Sequence, residues 1–271
     1  MRTQGHGITT PEKEEAFRSF FEGNLNASRA FSHFLHVDLN CGSGWNEDAL
    51  CLGSPLVFLN AVKRARRADV GAVFVDQDPV ACESLRERLR REIQPPGFAW
   101  SVCCQDNRRT LELLLREPER FGSLIADPNG HGRGKAGNGT DYRLLAKVLA
   151  RHVRMDVAIN VNLNLLWQMR GWNRARGADV FKADDQPGIR ELIGMMPKEH
   201  WHVQFRSPPR GSPGRGFLVL IGRNGVNFKD HAARGIYRVN SPTGQRIIKY
   251  ADTGRGEHPL AGASQQQFAF A

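Results

Sequence analysis

Short apolar runs alternate with amphipathic segments along most of this chain. Five apolar runs have the length and composition of β-strands: Phe34–Leu39, Ala72–Val75, Phe98–Cys104, Ser123–Ala126 and Asp156–Leu165. The segments between them have the length and apolar spacing of helices. These helices are predicted at Pro55–Ala68, Pro79–Glu92, Arg109–Arg116 and Asp141–Arg154. Alternating strands and helices predict a parallel sheet covered by helices.

Both ends of this pattern add further elements. A helix is predicted to begin at Thr10, with Phe17, Phe20 and Phe21 on one apolar face. Near the other end, Trp201–Phe205 and Gly216–Ile221 predict a β-hairpin around a basic loop. The sequence therefore predicts an α/β, Rossmann-like fold with a mostly parallel seven-stranded sheet, a C-terminal antiparallel hairpin and helices on both faces.

The chain is predicted to form a single domain. This domain covers residues 9–251, after a flexible tail at residues 1–8. Residues 252–271 are rich in glycine, serine and glutamine, so we expect a disordered tail there.

Glycines and acids mark the points where the first two strands end. Strand one runs into D-L-N-C-G-S-G (Asp38–Gly44), and strand two closes on Asp76 and Asp78. Glycines after a strand let the backbone approach a ligand closely, and an acid ending the next strand can accept both hydroxyls of a ribose. The pattern predicts a nucleoside-cofactor site, with a purely structural turn as the alternative. The cofactor-binding candidates are Asp38, Asn40, Gly42, Ser43, Gly44, Asp76 and Asp78.

The spacing of the glycine turn narrows the choice of cofactor. The third glycine of a dinucleotide fingerprint would fall on Glu47, and no Gly-Lys-Ser/Thr ending of a P-loop occurs. The remaining pattern resembles motifs I and II of class I S-adenosylmethionine (SAM)-dependent methyltransferases. That resemblance implies SAM as cofactor, and it implies that Asp106, after strand three, holds the adenine amino group. The alternative for Asp106 is a plain helix N-cap.

The end of strand four is the candidate catalytic centre. Asp127-Pro128-Asn129-Gly130 stands where amino methyltransferases carry D/N-P-P-Y/F/W, although the stacking aromatic is absent. Strand five alternates apolar residues with Asn160, Asn162 and Asn164. Because ligands bind at the carboxyl ends of such strands, Asn164 is a better site candidate than Asn160. The catalytic candidates are Asp127, Pro128, Asn129 and Asn164.

A glycine-rich loop, Gly130–Gly139, follows this motif directly. Its basic residues His131, Arg133 and Lys135 predict a substrate-binding loop or lid, with a plain disordered insertion as the alternative. The whole chain has a net charge of +10, and 30 of its 38 basic residues are arginines. Arginine contacts phosphate bidentately, so we expect a nucleic-acid partner, DNA more than RNA. Arginine-rich codon usage on an ordinary surface is the alternative.

Cysteine usage and hydropathy set further limits. The five cysteines form no C-x-x-C pair, and no histidine ligand pattern lies near them, so no zinc or other metal site is predicted. Cys41, in the glycine turn, is interpreted as a packing residue. An odd cysteine number, with no secretory leader and no apolar run of membrane-spanning length, predicts a cytoplasmic protein without membrane contact.

One protein family shares the order of motifs found here. The chain carries V-D-L-N-C-G-S-G, G-S-P-L (Gly53–Leu56), F-V-D-Q-D-P, A-D-P-N-G, D-V-A-I-N-V-N-L-N and F-L-V-L-I-G-R-N. This series resembles the phage- and bacterium-associated three-Cys-motif partner protein (TcmP) family between about Pro11 and Arg238. The resemblance implies a SAM-dependent methyltransferase fold, SAM binding and an association with phage. The chain departs at Asn40-Cys41 and Ser43, where the family tends to Phe-Ala and Pro.

Three functions remain open. The first is a SAM-dependent methyltransferase that modifies nucleic acid, with DNA favoured and an amino group as one candidate acceptor. The second is a nucleic-acid or protein-partner binding module that keeps the fold without methyl transfer. The third is a methyltransferase for a small molecule or a protein.

Overall fold

A computed structural model describes most of the chain. The described residues are 10–29, 33–47, 50–128, 139–163, 166–167, 187–206, 217–225 and 229–253. The helices are α1 Thr10–Ala27, α2 Ser54–Ala65, α3 Pro79–Arg91, α4 Asn107–Leu114, α5 Tyr142–Arg151, α6 Ile189–Met195 and α7 Pro242–Thr253. The strands are β1 Phe34–Asp38, β2 Trp45–Asn46, β3 Cys51–Leu52, β4 Val70–Asp76, β5 Phe98–Cys104, β6 Phe121–Ala126, β7 Met155–Asn162, β8 His200–Arg206, β9 Phe217–Arg223 and β10 Ile236–Arg238.

Within the described residues, one large sheet organises the molecule. Its eight strands have the order β10-β8-β9-β7-β6-β1-β4-β5. The strands β1, β4, β5, β6 and β7 pair in parallel, and β9 then runs antiparallel to both β7 and β8. The predicted Rossmann-like class, with its mostly parallel sheet and closing hairpin, is confirmed. The short edge strand β10, antiparallel to β8, adds an eighth strand that the sequence did not predict.

Two apolar clusters show that helices cover both faces of the sheet. One cluster joins α1, α2 and α3 to residues such as Phe74 and Ile125. The other joins α4 to α7 to the opposite side chains of the same strands, such as Leu124 and Val157. Alternation along each strand sends successive side chains to opposite faces, so the sheet is buried on both sides.

Helix α1 lies on the first of these faces, and its sequence explains why. Phe17, Phe20 and Phe21 are all buried, and the Phe21 ring packs edge-on against Phe58 of α2 at 5.1 Å. These aromatic contacts fix the helix over the sheet, with its first turns next to the carboxyl end of β6. The position of that end matters for the site described below.

Several boundaries differ from the sequence prediction for identifiable reasons. Helix α2 ends three residues early because Arg66 adopts a left-handed conformation, with φ 50°. Helix α5 ends at Arg151, and buried His152 then bonds the carbonyl oxygen of Leu114 at 2.8 Å. Strand β7 ends at Asn162, before the predicted Leu165.

The structure describes the start of the predicted C-terminal tail but not the other predicted tail and loop segments. Helix α7 was not predicted, and it runs two residues into the tail expected from residue 252. The tail at 1–8, the basic loop at 207–215 and residues 254–271 lie outside the described residues. No helix within the described ranges is long and apolar enough to cross a membrane.

Candidate functional site

The strand order places a crevice at the centre of the sheet. The chain leaves β1 toward β4 and β5 on one side, while β6 and β7 lie on the other, so the order reverses between β1 and β6. Open parallel sheets bind ligands outside the carboxyl ends of their strands at such a switch point. Here those ends carry Asp38, Asp76 and Asp127, which belong to three separate motifs of the sequence.

Asp76 ties the glycine turn to the end of β4. Its Oδ2 accepts a hydrogen bond from the Gly42 backbone N–H at 2.9 Å, and its Oδ1 accepts one from the Asp78 N–H, also at 2.9 Å. A carboxylate has about four acceptor positions, so room for further donors such as ribose hydroxyls remains. Asp76 is only 8% exposed, and what is exposed faces a cleft.

This cleft lies between the carboxyl ends of β1, β4 and β5. Two carboxylates and several amides and backbone groups line it: Leu39, Asn40, Asp76, Gln77, Gln105, Asp106, Asn107 and Gly139. Its polar walls offer acceptors and donors of the kind that bind the hydroxyl-bearing part of a nucleoside. Gln77, Gln105 and Asn107 were not predicted, although each adjoins an acid that was.

Asp78 and Asp106 are both helix caps, but only one of them faces the cleft. Asp78 caps α3 by accepting from the Val80 N–H at 2.9 Å, and it lies at the exposed surface. Asp106 caps α4 by accepting from the Arg108 N–H at 2.8 Å, and it also lines the cleft. The N-cap alternative for Asp106 is therefore present, with one carboxylate oxygen left for a ligand.

The two glycines of the turn have different surroundings. Both have positive φ, 58° at Gly42 and 76° at Gly44. A Cβ on Gly42 would meet no atom of the described residues within 4 Å, so these residues leave the space above it open. A Cβ on Gly44 would lie 2.7 Å from Leu85 Cδ1, so a side chain at this position would force the buried Leu85 side chain to shift. Between them, the Ser43 hydroxyl donates to the Trp45 carbonyl at 2.9 Å within the turn.

Asp38 supports the turn from below. Its side chain is fully buried, and it accepts from the Asn40 N–H at 3.1 Å and from the Ser54 hydroxyl at 2.7 Å. Burial raises the pKa of Asp38 to about 7, despite these hydrogen bonds. Predicted as a cofactor-binding residue, Asp38 instead shapes the site through the turn and α2, because it exposes no atom to a ligand.

Asp127 is held from two sides by residues that the sequence analysis did not assign to the site. Lys13 Nζ of α1 donates to Asp127 Oδ2 at 2.6 Å, and Asn160 Nδ2 of β7 donates to Oδ1 at 2.7 Å. Burial lowers the pKa of Lys13, but attraction to Asp127 and Glu14 outweighs it and raises the pKa overall. The ammonium group therefore stays charged against Asp127.

Glu14 completes this polar group. Its carboxyl lies 3.9 Å from Lys13 Nζ, and burial raises the pKa of Glu14 to about 8. In the described part of the chain, its Oε2 is buried without a hydrogen-bond partner, as is Oδ1 of Asn160. Lys13 and Glu14 could have been noticed as charged residues one turn before Phe17, on the same helix face as the phenylalanines.

Five of the predicted site residues lie outside the described residues. These are Asn129, His131, Arg133, Lys135 and Asn164. Pro128 follows Asp127 at one end of the glycine-rich loop, and Gly139 lines the cleft at the other end. Of the strand-five asparagines, Asn160 contacts Asp127, although the sequence pattern favoured Asn164 over it.

Cysteine and metal chemistry are not indicated by the described residues. Cys41 is buried in the apolar cluster of α1 to α3, and burial raises the pKa of its thiol, which fits a packing role. Among the residues that the structure describes, no group of three His, Cys, Asp or Glu side chains could hold a metal ion.

Comparison with solved structures shows the fold. The chain is similar to protein LPL1258 from Legionella pneumophila, with a TM-score of 0.54, 12% identity, and coverage of 83% of this chain and 88% of that one. It is also similar to a probable spermidine synthase from Corynebacterium glutamicum, with a TM-score of 0.49, 12% identity, and coverage of 90% and 80%. For the N-methyltransferase NodS from Bradyrhizobium japonicum, the TM-score is 0.41 at 11% identity, with coverage of 80% and 98%.

At such identities these likenesses bear on the fold alone. No protein-family model and no curated protein matches the chain. Membership of the three-Cys-motif partner family therefore stays a prediction from the motif series. Fold and site together define a Rossmann-like α/β protein with a polar cleft at the carboxyl ends of β1, β4 and β5.

Proposed function

We propose that this protein is a SAM-dependent methyltransferase. The observation that carries the proposal is the cleft at the carboxyl ends of β1, β4 and β5. There Asp76 and Asp106 face a common space, and the Gly42 backbone N–H bonds the Asp76 carboxylate beside it.

The described residues fit the chemical groups of SAM. Asp76 would accept the ribose hydroxyls, for which it keeps free acceptor positions. Asp106 would accept the adenine amino group through the oxygen that does not cap α4. Gly42 would let the backbone approach the cofactor, since no protein atom fills the space where its side chain would be.

Bound SAM supplies an electrophilic methyl group, and the residues at the end of β6 would orient its acceptor. Asp127 has two acceptor positions left after bonding Lys13 and Asn160. An acceptor amino group could donate to one of them, which would fix the direction of its lone pair. Asn160 supports this role because it fixes the Asp127 carboxylate from the neighbouring strand.

We further propose a nucleic acid as the substrate, with DNA favoured over RNA. The net charge of +10 and the dominance of arginine favour a phosphate-bearing partner. The loop carrying His131, Arg133 and Lys135 starts beside Asp127 and returns to the cleft at Gly139, which suits a loop that contacts the substrate. The motif series would make the protein a TcmP relative with an association with phage.

A binding module without transfer activity is the second candidate. The Lys13 ammonium already occupies one oxygen of Asp127, and Asn129 and Gly130 replace the second proline and the aromatic residue of amino methyltransferases. In that case the chain would bind a nucleic acid or a protein partner and keep SAM as a structural ligand.

Transfer of tritiated methyl from SAM to separate pools of DNA, RNA, protein and small molecules tests the proposal. We expect wild-type protein to label nucleic acid, DNA above RNA. Asp127→Ala should reduce labelling by at least about a hundredfold, because the acceptor loses its orienting carboxylate. SAM should still bind, because Asp127 does not line the cleft that would hold the nucleoside.

A second variant controls for folding. Asp127→Ala removes the nearer carboxylate partner of the partly buried Lys13 ammonium, which is destabilising, whereas Asp127→Ala combined with Lys13→Met removes both charges. Both should bind SAM and lack transfer. Full activity in either variant would place the chemistry elsewhere, and SAM binding without labelling of any pool would favour the binding module.

A further inference from the structure

Four titratable groups from three elements meet at the switch point. Lys13 and Glu14 come from the first turn of α1, Asp38 from the end of β1, and Asp127 from the end of β6. Lys13 bonds Asp127 at 2.6 Å and lies 3.9 Å from Glu14. The three carboxylic residues are each 9% exposed or less. The group, here called the switch-point cluster, is therefore shielded from bulk solvent.

The cluster is unbalanced in charge. It contains three carboxyl groups and a single ammonium, so full ionisation would leave two negative charges in excess. Burying uncompensated charge is costly, so such a group either holds protons or attracts another cation. Glu14 Oε2, buried without a hydrogen-bond partner, shows that the protein leaves one of these acceptors unsatisfied.

Among the residues that the structure describes, the groups around the cluster do not supply the missing positive charge. Cys41, in the turn, and Tyr142, at the start of α5, both face it, and burial raises the pKa of each, so both are neutral. Asp76, at the end of β4, adds a further carboxylate. Each described neighbour is thus neutral or acidic.

The proposed cofactor carries the charge that the cluster lacks. The sulfonium of SAM is bonded to the carbon next to the ribose ring, so a ribose held at Asp76 brings a positive charge to the glycine turn between β1 and β4. The product S-adenosylhomocysteine has a neutral thioether at the same atom. The two ligands therefore differ mainly by one methyl group and one unit of charge. This step rests on the proposed function.

We propose that the switch-point cluster is a specificity determinant that selects the sulfonium cofactor over its thioether product by exchanging a bound proton for the sulfonium charge. When SAM binds, a carboxyl O–H of the cluster breaks, its electron pair stays on the carboxylate, and the proton passes to solvent. After methyl transfer the charge is gone, the cluster takes up a proton again, and the product is held less tightly.

The direction of the pH dependence follows from the titrating groups. The pKa of Glu14 is about 8 and that of Asp38 about 7, because both are buried, so each carries a proton for part of the time at neutral pH. A nearby positive charge lowers the pKa of a carboxyl group. SAM binding therefore releases protons, and SAM affinity rises with pH through the neutral range and levels off above about pH 8. The affinity of the thioether product should change less.

Isothermal titration calorimetry in two buffers of different ionisation enthalpy measures this proton release. At about pH 7.5 we expect SAM to release ~0.5–1 proton per site, and S-adenosylhomocysteine less than half of that number. Sinefungin carries a protonated amine in place of the methylated sulfonium, so it keeps the positive charge but lacks the methyl group. If the charge causes the proton release, sinefungin should release protons as SAM does.

Variants on one helix provide the matched control. Glu14→Gln keeps the shape of the protonated side chain and should remove most of the proton release and narrow the preference for SAM over the product. Glu15→Gln alters the next residue, whose carboxylate pairs with Arg18 at the surface, and should behave like the wild type.

Two outcomes distinguish this inference from the function on which it rests. Equal proton release by SAM and the product, or release unchanged in Glu14→Gln, would overturn the inference while SAM binding itself still supports a methyltransferase. Failure of the wild type to bind SAM would overturn the proposed function, and the inference with it.

Discussion

Asp38 and Asp76 end neighbouring strands and carry the same side chain, yet their surroundings differ. Asp38 is fully buried beneath the glycine turn and bonds the Ser54 hydroxyl, while Asp76 reaches the cleft. The spacing of the two acids predicted where the site lies. It did not predict which acid is buried and which reaches the cleft, because burial depends on how the turn folds back over β1. At the residue scale, motif position predicted which residues lie together at the ends of the strands better than which of them reach the cleft.

The two glycines of the turn should respond differently to the same substitution. Gly42→Ala places a methyl group in open space, so we expect little steric cost beyond about 1 kcal/mol for its positive φ, with a loss of SAM affinity. Gly44→Ala forces a contact with Leu85 and should lower the melting temperature considerably more.

Thermal melting and SAM titration of both variants check this expectation. The result would contradict it if Gly42→Ala bound SAM normally, or if Gly44→Ala melted with the wild type. The first outcome would make the whole turn structural, which was the alternative interpretation of the sequence.

Helix α1 shows what sequence pattern cannot give at the scale of an element. The spacing of Phe17, Phe20 and Phe21 predicted its apolar face, because that pattern is local. The contact of Lys13 with Asp127 joins residues 114 positions apart, and it depends on where the helix lies on the sheet. Helix α1, whose sequence pattern predicted only packing against the core, thus supplies Lys13 and Glu14 to the candidate site.

Removing the charge of Lys13 should destabilise the protein far more than removing a similar surface charge. Lys13→Met leaves Asp127 buried with an unpaired charge, which typically costs about 3 kcal/mol or more. Lys63 offers a matched control, since its ammonium lies 2.7 Å from Glu92 in an exposed pair. Lys63→Met should cost less than about 1 kcal/mol.

Chemical denaturation of the two variants measures the difference. Adding Asp127→Asn to Lys13→Met should restore much of the lost free energy of unfolding, because no buried charge then lacks a partner. Equal small losses for Lys13→Met and Lys63→Met would show that α1 is not fixed to the site by this pair.

At the scale of the whole molecule, the central strands of the sheet were predicted from the sequence, but the edge strand β10 was not. The buried parallel strands are nearly continuous apolar runs, so β1, β4, β5, β6 and β7 stand out. Strand β10 is only three residues long and half-buried. Its pairing with β8 depends on tertiary contacts, so no local sequence pattern predicts it. Helix α7 was missed in the same region, where its buried residues Ile247, Ile248 and Ala251 join the second cluster.

The net charge of the molecule leads to a prediction about its substrate. Replacing His131, Arg133 and Lys135 together by alanine should flatten the salt dependence of DNA binding. The slope of log K against log salt should fall by up to ~0.9 for each DNA phosphate that these side chains neutralise in the wild type. Fluorescence anisotropy of labelled DNA over a salt series measures the slope. A slope equal to that of the wild type would show that this loop does not bind the phosphate backbone.

Titration of SAM into the wild-type protein and into two aspartate variants tests the central claim most directly. Asp76 faces the cleft, while Asp78, two residues along the same segment, only caps α3. The wild type should bind SAM. Asp76→Ala should bind it roughly ten- to a hundredfold more weakly, because it loses a charge-assisted hydrogen bond of ~1.5–3 kcal/mol. Asp78→Ala should bind SAM nearly as well as the wild type. Absence of SAM binding to the wild type at millimolar ligand, or equal affinities for wild type and Asp76→Ala, would contradict the assignment.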